Sequence, residues 1–109
     1  MTPEVTLVTA RCPIRTTLEL LGGKWKLLLL YQLAPGPLRF ADLKRRLPDI
    51  SEKMLGQELK TLADSGLLLR IDYAEAPPRV EYVLTEKGRL TGPLLEALRD
   101  FARAYEARN

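Results

Sequence analysis

Histidine is absent from the chain and cysteine occurs once, as Cys12. These shortages remove a great deal of chemistry. A single thiol cannot close an internal disulfide, and the Cys and His spacings that hold structural zinc cannot be assembled. A nucleophile activated by an imidazole base is likewise ruled out. No phosphate-cradling glycine loop and no cysteine–base pair is present either. Neither enzyme activity nor a cofactor is therefore expected. Long apolar runs are also missing. The longest, Leu27 to Tyr31, falls far short of the roughly 20 residues that cross a bilayer. The segment Met-Thr-Pro-Glu-Val-Thr-Leu at the start has no basic region ahead of a long apolar stretch, so no signal peptide is expected. A reducing cytoplasm suits the cysteine usage. Charge of one sign is scarcely in excess, with 17 basic residues against 14 acidic ones and a net charge of +3. Any basic surface must come from segregation of charge rather than surplus.

What remains is a chain of 109 residues, 46% hydrophobic, of a size that suits one domain with a small core. It is organised around residues 38–66. The apolar positions Phe40, Leu43 and Leu47 predict a helix that stops before Pro48. Pro48-Asp49-Ile50 makes a corner. Ser51 is a good N-cap for a second helix, since its hydroxyl can accept a bond from an orphan backbone N–H. Leu55, Leu59 and Leu62 form the inner face of that helix, and Gly66 ends it. The outer face carries Ser51, Glu52, Lys53, Gly56, Gln57 and Lys60. At roughly 22 Å long, with short polar and basic side chains at its N-terminal half, the helix suits a major groove about 12 Å wide. An ordinary helical hairpin with a solvated face fits this stretch as well.

The flanks extend the pattern. Residues 1–11 have no clear period and read as an N-terminal arm, leaving 12–109 as the domain. Pro13 suits a helix start, Ile14, Leu18 and Leu21 recur at helical spacing, and Gly22-Gly23 breaks that helix. Lys24 to Ala34 has so little polar face that it predicts a central helix packed on several sides. Pro35-Gly36-Pro37 is a turn, and Leu38-Arg39 a short extended piece. Leu67–Tyr73 and Arg79–Leu84, joined through Ala74-Glu75-Ala76-Pro77-Pro78, read as a β-hairpin that must lean on the helices. Thr85 is a plausible N-cap for a further helix, with Glu86 in its first turn. Gly92-Pro93 should kink or restart it. Beyond lies an apolar stripe of Leu94, Leu95, Leu98, Phe101, Ala102 and Tyr105, part of which is expected to pack against a second copy. The fold class is mainly α with a small β-hairpin (α+β), arranged as a winged helix-turn-helix. Winged helices bind DNA or proteins, so the layout alone leaves both open.

The residues then carry a resemblance. Cys12-Pro13-Ile14, Gly22-Gly23-Lys24-Trp25, Gly36-Pro37-Leu38-Arg39-Phe40, Ile50-Ser51, Lys53-Met54-Leu55, Ser65-Gly66-Leu67, Pro77-Pro78-Arg79-Val80-Glu81-Tyr82 and Leu84-Thr85-Glu86-Lys87-Gly88 resemble, in register, the HxlR family of bacterial transcriptional regulators, a MarR-like winged-helix group. The resemblance implies a homodimer on double-stranded DNA, with N- and C-terminal dimerisation helices contributing Ile14, Leu18, Leu94, Leu95, Leu98, Phe101 and Tyr105. One recognition helix per subunit would enter successive major grooves of a pseudo-palindromic operator, roughly 34–36 Å apart. Ser51, Glu52, Lys53, Met54 and Gln57 fall where base edges are read, with Gln57 suited to adenine and Lys53 to guanine or phosphate. Arg39, Lys44, Arg45 and Lys60 suit phosphate. Arg70 and Arg79 flank a wing tip that has no basic residue of its own and carries Glu75. Some members of the family sense oxidants or electrophiles through a cysteine near position 12. A helix N-terminus stabilises a thiolate, which raises its reactivity, so an oxidant or small-molecule effector acting at Cys12 is the regulatory expectation. A small packing residue is the alternative.

Overall fold

The computed structural model describes residues 9 and 11–108. The arm expected over 1–11 lies almost wholly outside them. Among the described residues, six helices and one hairpin follow in the order α1 (Pro13–Leu21), α2 (Lys26–Leu33), α3 (Phe40–Arg46), α4 (Glu52–Asp64), β1 (Leu68–Asp72), β2 (Val80–Leu84), α5 (Glu86–Arg89) and α6 (Gly92–Ala107).

Local chemistry sets most of these boundaries. The Ser51 hydroxyl accepts from the Met54 N–H at 3.0 Å and so caps α4. Gly66, at φ +79°, closes the other end, where the Leu67 N–H returns to the Leu62 carbonyl at 3.0 Å. A residue with a side chain resists that left-handed turn. The Thr85 hydroxyl accepts from the Gly88 N–H at 3.0 Å and donates to the Gly66 carbonyl at 2.6 Å, while its own N–H reaches the Leu67 carbonyl at 3.1 Å. Thr85 thus joins the end of α4, the base of the hairpin and the start of α5. Gly88 is required by close packing, because a Cβ there would sit 2.0 Å from the Leu67 carbonyl oxygen. Gly92-Pro93 restarts the chain as a separate helix after α5.

The hairpin is antiparallel, with Leu68 opposite Leu84, Arg70 opposite Tyr82 and Asp72 opposite Val80. Leu38 adds a one-residue bridge, its N–H and carbonyl both bonded to Tyr82 at 3.1 and 2.8 Å. The wing is therefore pinned to the segment before α3. The core gathers Leu21 of α1, Leu29, Leu30 and Leu33 of α2, Leu43 of α3, Leu47 and Ile50 at the corner, Leu55, Leu59 and Leu62 of α4, and Leu67, Leu68 and Leu84 around the hairpin. Each such buried aliphatic side chain contributes roughly 1.5–3 kcal/mol.

Helix α2 is central and packed on several sides, meeting α3, α6 and β2. Leu29, Leu30 and Leu33 are buried and Leu27 packs against the core, while Leu28 and Tyr31 stay 46% and 47% exposed. α6 meets α2 near Leu95 and leaves the outer strip open beside Leu98.

Candidate nucleic-acid interface

Helix α4 has two chemically distinct faces. Leu55, Leu59 and Leu62 are fully buried, while Glu52, Lys53, Gly56, Gln57 and Lys60 are exposed. The 3.6-residue period alone separates them. Glu58 lies at the edge between the faces, and its carboxylate meets the Lys26 ammonium of α2 at 2.9 Å with both side chains largely buried. This pair fixes the roll of α4 on the core. Helical periodicity does not reveal it. Its only local signal is an acidic residue three positions after the buried Leu55, at the border of the apolar stripe.

Among the described residues, the side chains of Lys53 and Gln57 make no hydrogen bond or ion pair, so both face solvent uncommitted. Ser51 serves as the cap, and exposed Met54 supplies the N–H that it captures. Lys60 is held by Asp64 at 2.8 Å, and that bond raises its pKa above the ordinary lysine value. Lys44, in the last turn of α3, donates to the Pro48 carbonyl at 3.2 Å. Arg45 is paired with Asp42. Asp42 also accepts from the Arg39 N–H at 3.0 Å, which caps α3 and, with Arg45 nearby, holds its carboxyl below the usual range. Arg39 itself is exposed at the N-cap of α3. Such surface ion pairs are weak, typically about 0–1 kcal/mol, so a stronger anionic partner can draw these cations away.

The hairpin completes the surface. Arg70 and Tyr82, opposite one another in the sheet, face α4 across a groove of about 300 Å³ that also carries Gly56, Leu59, Lys60 and Ala63. The recognition-type helix and the wing thus share one wall-to-wall groove with Lys60 and Arg70 in it. Arg79 is placed differently. Its guanidinium carbon lies 3.8 Å over the Tyr73 ring and its Nη2 is 3.2 Å from Glu75, while the Tyr73 hydroxyl donates to Glu81 at 2.7 Å. That bond is the main reason why the Tyr73 pKa is raised. Arg79 is folded into the wing rather than extended from its tip.

The other expected residues occupy the opposite concern of the molecule, the terminal helices. Ile14 and Leu18 on α1, with Cys12 at its N-cap, line an apolar groove of about 460 Å³. On α6, Leu94 and Leu95 pack against the core, whereas Leu98, Phe101 and Tyr105 are exposed and the two rings stack 6.1 Å apart.

A helix pair at a capped corner, followed by a hairpin tied to the end of its second helix, defines the winged helix-turn-helix class. Residues 20–109 match the family described as HxlR-like helix-turn-helix. The chain belongs to that family, one of transcriptional regulators. It is 46% identical over 94 residues to an uncharacterised HTH-type transcriptional regulator of Methanothermobacter thermautotrophicus, covering 86% of this chain and 72% of that protein. Among solved structures it is similar to a protein described as a MarR-family regulator from Porphyromonas gingivalis W83, with TM-score 0.87, 39% identity, and 91% and 97% of the two chains covered. It is also similar to the redox regulator HypR in its oxidised form, with TM-score 0.81, 38% identity, and 85% and 96% covered. No helix among the described residues is long and apolar enough to cross a membrane.

Proposed function

We propose that this chain is a homodimeric transcriptional regulator that binds a pseudo-palindromic DNA operator in a sequence-specific way, with α4 of each subunit in a major groove. The observation that carries the reading is the outer face of α4. Lys53 and Gln57 stand uncommitted there, and the same face continues into the groove shared with Lys60 and Arg70. Lys53 and Gln57 would read base edges together with Glu52, while Met54 and the Ser51 cap would set the helix end against the groove floor. Arg39, Lys44, Arg45, Lys60 and Arg70 would meet phosphates, which give affinity without sequence information. Arg79 would act within the wing, holding its shape against Tyr73. A cytoplasmic location follows from this role.

The dimer reading rests on the terminal helices. Ile14 is 72% exposed and Phe101 69% exposed, too much apolar surface for water when taken with Leu18, Leu98 and Tyr105. The Cα radius of gyration is 16.4 Å, against about 13 Å for a compact chain of this length. A second copy would restore compactness by covering α1 and α6. Cys12 sits half-buried at the start of α1, at the rim of that apolar groove. Its oxidation to an intersubunit or mixed disulfide would therefore act on the dimer directly, and the likeness to a redox regulator supports that role.

The experiment is a selection of bound duplexes from a random pool, followed by anisotropy titrations of the enriched site against a scrambled one. Preferential binding that weakens steeply with salt is expected. No enrichment would refute the DNA reading and leave a protein-binding module. Repeating the titration with a mild thiol oxidant, on the parent and on Cys12→Ser, tests the switch. An oxidant effect that persists in Cys12→Ser would refute the role of Cys12.

A further inference from the structure

Glycine 56 is the fifth residue of α4, in the middle of its exposed face. A glycine inside a helix normally has a reason within the protein: a left-handed turn, or a neighbour too close for a side chain. Gly56 has neither. Its φ is not positive, and a Cβ built there meets nothing within 4 Å. The contrast with Gly88, where a Cβ would strike backbone at 2.0 Å, is complete. Glycine also weakens a helix interior relative to alanine. The fold thus carries a destabilising residue that its own packing does not require.

The surroundings of Gly56 point outward to the reason. Lys53 precedes it by three residues and Lys60 follows by four, so both flank it along the same helical face. Gln57 is adjacent, and Arg70 closes the groove beside it. An uncovered strip of helix backbone at the centre of a polar and cationic face is what a closely approaching anionic polymer needs. We propose that Gly56 is a depth-setting residue. It lets the major-groove wall of the duplex approach the bare backbone of α4, and so allows Lys53 and Gln57 to reach base edges on either side. This rests on the reading of α4 as the DNA-facing helix, and adds to it a specificity-determining position that contributes no side chain.

The test is Gly56→Ala in the full chain, measured for thermal stability and for affinity toward the duplex enriched by the parent and its scrambled counterpart. The variant is expected to melt higher than the parent and to bind the enriched duplex at least tenfold more weakly, with the loss on the scrambled duplex under threefold. Binding within twofold of the parent would overturn the inference while leaving the DNA reading intact. A lower melting temperature would show that glycine serves the fold, and would overturn it too. If the parent enriches no duplex at all, the DNA reading falls, and this inference falls with it.

Discussion

Replacing Phe101 by serine tests the assembly most directly. Phe101 lies in the C-terminal half of α6, 69% exposed, stacked on Tyr105 and away from the core. An aromatic side chain carries roughly 200 Å² of surface, so about 140 Å² of apolar area is open on each protomer. A two-fold interface would lose it twice, about 280 Å² in all. At about 25 cal/mol per Å² the ceiling is near 7 kcal/mol. Incomplete burial and side-chain ordering reduce such figures strongly, and a loss of about 3 kcal/mol is a fair expectation. That corresponds to a dimer weakened by roughly two orders of magnitude. Sedimentation velocity over a dilution series, parent beside variant, reads this directly. The helical circular-dichroism signal should be retained at high concentration, since Phe101 is outside the cluster formed by α2, α3, α4 and the hairpin. A variant whose dimer dissociates within fivefold of the parent's concentration would refute the reasoning, as would a parent that is monomeric at micromolar concentrations.

Three further outcomes follow from the geometry. Gly88→Ala forces a Cβ onto the Leu67 carbonyl, so α5 must lift from the hairpin. A loss of about 1–3 kcal/mol is expected, read by urea unfolding, and an unchanged midpoint would contradict the close packing described. Lys53→Ala with Gln57→Ala should reduce the preference for the enriched duplex over a scrambled one at least tenfold without moving the melting temperature by more than a degree or two; undiminished discrimination would remove these two residues from base reading. The lowered pKa of Asp42, caused first by the Arg39 N–H and then by Arg45, gives a sign to the acid response. The carboxylate stabilises the folded state above its unfolded pKa near 4, and that contribution disappears as pH falls through the lower folded value. The stability gap between the parent and Asp42→Asn should therefore be present at pH 7 and close only as the pH falls below the ordinary carboxylate value. A gap that is constant across this range would show that the charge is not what caps α3.

The sequence made local chemistry legible and left long-range geometry unread. Pro48, Ser51 and Gly66 each act within a few residues of themselves, through a missing N–H, a hydroxyl cap and a left-handed turn, and the bounds of α3 and α4 follow from them. Thr85 as an N-cap and the alternation that makes the hairpin are of the same kind. For α2, Leu27 to Tyr31 predicts a central apolar helix but not which of its flanks stays open. Which flank is covered depends on where α6 crosses it, and Leu28 and Tyr31 remain open. The partners of the basic residues were also out of reach. Lys26 and Glu58 meet across 32 positions, and Arg79 folds over Tyr73 through the path of the wing loop. No periodicity encodes either contact.

The bonds that Thr85 makes to Gly66, Leu67 and Gly88 tie the tail of α4 and the base of the wing to one side chain and its own amide. These bonds resist separation of the helix tail from the base of the wing and so favour one spacing between them. On the proposed DNA reading, a duplex whose groove is too narrow or too wide for that spacing would have to deform to meet it. The cost of that deformation depends on base sequence even where no side chain reaches. The threonine that closes a turn would thus also be a source of selectivity, exercised at base pairs it never approaches.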